Sequence, residues 1–195
     1  MIEKRVACVV EGHGEVEALP ILLRRLAERL PVPVNVQVPT PIRVPKSKLQ
    51  KAGELERVVQ LAARKAGIGG GILIVLDGDD DCPADLGPRL LQRAAVARGD
   101  VPISVVVAQR EYEAWFLAAA ESLAGRRGLP TNLVSPPEPE AIRGAKGWLS
   151  DRMPRQRPYS ETLDQPALTA LLDVDRARRA PSFDKLCRDV ERLLS

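Results

Sequence analysis

Aromatic residues are scarce: Phe, Trp and Tyr each occur only twice in 195 residues. A platform that stacks single-stranded nucleic acid needs several exposed rings, so the composition argues against that mode of binding. Cysteine is equally sparse. Cys8, Cys82 and Cys187 are odd in number, far apart and free of Cys-x-x-Cys spacing. That argues against a disulfide framework or a zinc site and makes a reduced, cytoplasmic setting the expectation. No stretch approaches the roughly 20 apolar residues of a membrane span. The N-terminal residues lead into a strand-like run instead of a signal-peptide core. No membrane partner is expected. His13 is the only histidine, and in its glycine-flanked loop the ordinary reading is an exposed side chain.

Charge of one sign is also not in excess. The net charge is +3, but residues 1–125 carry 16 basic and 16 acidic side chains, whereas residues 126–195 carry 13 and 10. Within the later segment Arg143, Lys146, Arg152, Arg155 and Arg157 are opposed only by Asp151. Such a local excess suits a phosphate backbone, or else an ordinary solvated loop. Hydrophobic residues at 45% and charged residues at 28% describe a globular chain, long enough for one domain with a small appendage.

The most informative stretch runs from Leu73 to Asp81, where an apolar, β-branched segment meets Asp77, Asp79, Asp80 and Asp81. Carboxylates this crowded repel one another and resist desolvation, so they need water or a hard cation such as Mg²⁺. The run is not an EF-hand loop, because Cys82 and Pro88 stand where Gly and Glu are required. It is not the Asp-x-Asp of haloacid-dehalogenase-like phosphatases, which follows the first strand. Gly12-His13-Gly14 lacks the further residues of a dinucleotide fingerprint or a P-loop and reads as a turn.

Apolar runs at 5–10, 72–77 and 102–108 predict strands buried on both faces, and Val34–Val38 alternates like a strand nearer an edge. Helical spacing predicts helices over 15–30, 54–66 and 86–98, the first stopped by Pro31 and Pro33. A nearly all-apolar helix from Ala114 is expected in the core, with Trp115 and Phe116. Further helices are expected near 140–150, 164–173 and 182–194, the last capped by Ser182. Alternating strands and helices imply an α/β fold: a mainly parallel four-stranded sheet flanked by helices over 1–125, with a helical C-terminal extension over 126–195 packed on it. In such a sheet, groups at the carboxyl ends of strands converge. Here those groups are Glu11, Asp77 with Asp79, and Glu111 with Glu113. Two residues apart on a helix, Glu111 and Glu113 would not share a face; Glu113 is expected at the site and Glu111 as a helix N-terminal charge. Glu17 reads the same way, and Asp80 and Asp81 as solvated or capping.

A strand ending in Glu11-Gly12, a further Glu15, a helix and a later strand ending in Asp77-x-Asp79 resembles the Toprim pattern of topoisomerases, primases and related nucleases. More narrowly, Val10-Glu11-Gly12-His13-Gly14-Glu15, Leu76-Asp77-Gly78-Asp79-Asp80, Glu111-Tyr112-Glu113-Ala114-Trp115-Phe116, Tyr159-Ser160-Glu161-Thr162 and Ser182-Phe183-Asp184 resemble the bacterial domain-of-unknown-function family 4276. The resemblance implies a Toprim-like, Rossmannoid fold, with Asp77 and Asp79 holding Mg²⁺ (or Mn²⁺) and Glu11 as general acid/base or ligand. No nucleophilic tyrosine domain, ATPase module or zinc finger accompanies the pattern, which leaves a small metal-dependent hydrolase. The expectation is a nuclease on nucleic acid, in a phage-defence or mobile-DNA context suggested by the nuclease relatives. Glu11 and Glu113 would complete the metal shell, Glu11 or Glu15 would take a proton from water, and Lys146, Arg152, Lys46 and Lys48 would bind phosphate. Two alternatives stand: a non-catalytic metal-binding module of a multiprotein complex, and a small-molecule phosphotransfer enzyme. A homodimer or a partner protein is compatible with any of them.

Overall fold

The computed structural model describes residues 2–32 and 34–195; Pro33, expected beyond the first helix, lies outside the described residues. The elements run β1 (Ile2–Val10), α1 (Glu15–Ala27), β2 (Val34–Gln37), β3 (Ile42–Arg43), α2 (Lys46–Leu49), α3 (Glu54–Ala66), β4 (Gly71–Asp77), α4 (Pro83–Ala97), β5 (Ile103–Ala108), α5 (Ala114–Ala118), α6 (Ala145–Ser150), α7 (Glu161–Leu171), α8 (Val174–Ala177) and α9 (Pro181–Leu194). The strands form one sheet in the order β2-β1-β4-β5, with β3 pairing the C-terminal end of β1 beyond β2. Every pairing among the described residues is parallel.

The runs 6–10, 72–76 and 105–108 are apolar because both faces are covered there. Val6, Cys8 and Val10 of β1, Leu73 and Val75 of β4, and Val106 and Ala108 of β5 pack with α1, α5, α7 and α9. The alternate residues Ala7, Val9, Ile72, Ile74, Leu76, Val105 and Val107 pack with α3 and α4. The chain leaves β1 toward β2 through α1, then crosses back from β3 to β4 through α3. Parallel crossovers keep one hand, so reversing direction puts α1 and α3 on opposite faces. The carboxyl ends of β1 and β4, which lie side by side, therefore border the crevice at the topological switch point.

The expected extension over 126–195 is built into this arrangement: α7 packs against α1, and α9 against β5, β4 and α1. Tyr112, Trp115, Phe116 and Phe183 are all buried there, which accounts for most of the few aromatic rings. Ser182 does not cap α9. Ala180 occupies that position, and the Ser182 hydroxyl is drawn inward, where it accepts from Trp115 Nε1 at 2.8 Å and donates to Glu140 Oε1. Helix α1 ends three residues before the expected boundary, at Ala27. The sheet gains a fifth strand, β3, too short to show alternation. No described helix is long and apolar enough to cross a membrane.

Candidate functional site

The turn after β1 is wound around Glu15. Its buried carboxylate folds back so that Oε2 accepts from the backbone N–H groups of Glu11 (3.0 Å) and Gly12 (3.3 Å). Across the crevice, the last residue of β4 supplies Asp77, whose Oδ1 accepts from Tyr112 N at 2.7 Å. After β5, Glu113 has no solvent exposure. Its Oε1 accepts from Tyr159 Oη (2.8 Å) and Gln165 Nε2 (3.2 Å), while its Oε2 has no hydrogen-bond partner. Lys146 points into this group from α6, with Nζ 3.5 Å from Glu161 Oε2, 3.9 Å from Glu113 Oε2 and 4.0 Å from Asp77 Oδ2.

Burial dominates the electrostatics. It pushes the Glu15 carboxyl up to about 7, with the Glu113 and Glu11 charges adding and the two backbone donors opposing. It raises Glu113 to about 7 against Lys146 and Tyr159, and drives Asp77 well above the usual carboxylate range, reinforced by Glu15 and Glu113. For Lys146 burial works against the ammonium, but Glu113, Asp77 and Glu161 outweigh it and raise its pKa.

A second, more open group lies beside the first. Glu11 Oε1 accepts from Lys46 N at 3.2 Å, and its Oε2 is buried without a partner. Asp79 adopts φ 51°, turns its carboxylate toward solvent and pairs with Lys46 Nζ at 2.5 Å. Lys46 also donates to Gly78 O and lies 3.3 Å from Asp81. Asp77 and Asp79 thus serve different neighbours, and Glu11, Asp77 and Asp79 do not surround one point. Among the described residues no three His, Cys, Asp or Glu side chains are placed to hold one metal ion.

A family model for a domain of unknown function, DUF4276, matches residues 10–191, a span that contains every one of these carboxylates. The chain belongs to the DUF4276 family. It matches no curated protein and no solved structure.

Of the cationic residues expected at the site, this DUF4276 chain brings Lys46 and Lys146 into it. Lys48 is exposed on α2. The Arg152 guanidinium instead stacks 3.6 Å over the Trp148 ring and donates to Trp148 O. Glu111 and Glu113 stand in the turn before α5, not on a common helix as expected. There Glu111 Oε2 accepts from Lys146 N at 3.2 Å, satisfying an N-terminal donor of α6. Asp80 bridges Arg110 and Arg143 at the surface. Asp79, Asp80, Arg110, Glu111, Arg143 and Gly144 line a shallow cavity of about 170 Å³, smaller than the ~300 Å³ and more of a typical small-molecule pocket. His13 is exposed.

Composition and spacing missed the contribution of α7. Glu161 Oε1 accepts from Gly14 N at 3.3 Å, and Tyr159 and Gln165 orient Glu113. The signal was the Tyr159–Thr162 segment, present in the family resemblance but without a role assigned by its residue types.

Proposed function

We propose that this DUF4276 domain is a Toprim-like, Mg²⁺- or Mn²⁺-dependent phosphodiesterase that hydrolyses nucleic acid. The observation that carries the reading is that the ends of three neighbouring parallel strands bring two adjacent acidic groups to the switch-point crevice, Asp77 with Glu113 and Glu11 with Asp79, in which Glu113 Oε2 and Glu11 Oε2 are buried and unpartnered. Unpartnered buried carboxylate oxygens fit a hard cation, and Mg²⁺ keeps several waters, so few protein ligands suffice. Each group would hold an ion, Asp77 with Glu113 in one and Glu11 with Asp79 in the other, and the metal would supply an activated water and neutralise charge on a phosphate.

The chain's own residues supply the rest. Glu15, with its carboxyl held near neutrality, suits a proton acceptor, because a base is most effective when its pKa lies near the working pH. Glu11, on the crevice side of the same turn, is the other candidate for that proton. Lys46 and Lys146 stand where they can orient a phosphate. The shallow cavity beside these groups, lined by Asp79, Asp80, Arg110, Glu111, Arg143 and Gly144, suits a polymer lying across it better than an enclosed small molecule.

The test is cleavage of single- and double-stranded DNA and RNA with Mg²⁺ or Mn²⁺. The reading predicts cleavage that stops with a chelator, is lost in Asp79→Ala, and falls by about a hundredfold or more in Glu15→Gln, with far-UV circular dichroism unchanged. Full activity in Asp79→Ala would contradict it. A second reading, a non-catalytic binding module, is favoured by one observation: Lys46 and Lys146 already supply cationic charge to both acidic groups. Nucleic-acid binding without turnover at any divalent-ion concentration would support that reading instead.

A further inference from the structure

Three carboxylates share an arrangement that repulsion alone would not produce. Each has one oxygen fixed by a protein donor and the other turned toward a common point. Asp77 Oδ1 is held by Tyr112 N, Glu113 Oε1 by Tyr159 and Gln165, and Glu161 Oε1 by Gly14 N. Their second oxygens lie 4.0, 3.9 and 3.5 Å from Lys146 Nζ. Outer partners that orient one end of a ligand and leave the other aimed at a centre are typical of metal sites. The ammonium fills that centre poorly, since all three distances exceed the 2.7–3.2 Å or so of an N–H···O hydrogen bond. Glu113 Oε2, fully buried, therefore has an opposite charge nearby but no donor.

We propose that the Lys146 ammonium marks the position of a divalent cation, and that Asp77, Glu113 and Glu161 close on that cation when the lysine withdraws. The inference rests on the metal-dependent reading above and deepens it: Glu161 joins the site, and Lys146 is its internal counter-ion in the metal-free chain. Metal–oxygen distances of about 2.1 Å for Mg²⁺ are much shorter than those to the ammonium. The oxygens are consequently spread too far for shared coordination while the lysine is in place, in keeping with the absence of a ready three-ligand cluster among the described residues. The lysine has room to leave. Its side chain is 40% exposed, and it projects from a six-residue helix entered through Gly144 at φ 72°.

Calorimetric titration of the full chain with Mn²⁺ tests this directly. Lys146→Met removes the competing charge and is expected to tighten Mn²⁺ binding by about tenfold or more, while Glu161→Gln weakens it by a similar factor. Unchanged or weaker binding in Lys146→Met overturns the proposal, as does unchanged binding in Glu161→Gln or no binding by the wild-type chain. If Lys146→Met folds only when Mn²⁺ is present, the cation has replaced the ammonium and the proposal stands. If it folds in neither condition, Glu161→Gln decides: weakened binding supports the proposal and unchanged binding overturns it. The two readings fail separately. The expected Mn²⁺ pattern without cleavage of nucleic acid sinks the nuclease, whereas metal-dependent cleavage with unaltered Mn²⁺ affinities sinks this site.

Discussion

At Gly14 the chain passes so close to α7 that a Cβ would fall on Gln165 Oε1 and on the carbonyl oxygen of Glu161. A carbonyl fixed in a helix cannot step aside as a flexible side chain can. Gly14→Ala is therefore expected to destabilise the fold by about 1–3 kcal/mol. Gly147→Ala, in α6 with open space around its Cβ, should be neutral or stabilising by up to about 1 kcal/mol. Paired denaturant titrations check both; equal stabilities for the two variants would contradict the packing described here. Sequence could show that Gly12 and Gly14 permit a tight turn. It could not show that close approach of α7, 147 positions away in the chain, requires glycine at position 14. Likewise Ser182 had the residue type of a helix cap, but the buried indole of Trp115 and Glu140 draw its hydroxyl into the interior.

Elements were legible where local chemistry and tertiary environment agree. The apolar, β-branched runs of β1, β4 and β5 could be buried only on both faces, and Glu54–Ala66 combined helical spacing with a glycine stop. β3, α2 and α8 span two to four residues, too short for any periodicity to register. The ends of β1, β4 and β5 also set a pH dependence. Burial pushes the Glu15 and Glu113 carboxyls up to about 7 in the fold, from an ordinary value of 4.5. Over that interval the folded chain retains protons that the unfolded chain has released. The associated stabilisation is complete below about pH 4.5 and is lost as pH rises to about 7. Without divalent cations, stability should decline across this window, and Glu15→Gln, which cannot ionise there, should show a shallower decline. Mn²⁺ should flatten it too, by replacing protons as the compensating charge. An equally steep decline in Glu15→Gln would show that Glu15 is not a source of the slope.

At the scale of the whole molecule, the α/β class and parallel sheet followed from the order of the elements. The meeting of the acidic groups depended on topology: β1 and β4 are adjacent because the chain reverses direction after β3, bringing Glu11 and Asp77 to one crevice. The C-terminal segment completes that crevice: its helices cover the α1 face and supply Lys146 and Glu161, and the connection before α7 supplies Tyr159. The central proposal is a divalent cation held there. Diffraction from crystals of the full chain soaked in Mn²⁺, recorded to reveal manganese by its anomalous signal, tests that claim most directly. The account predicts a peak within about 2.5 Å of carboxylate oxygens of Asp77 and Glu113, with the Lys146 side chain displaced. Full soaking that leaves Lys146 in place, with no manganese beside those carboxylates, would contradict it.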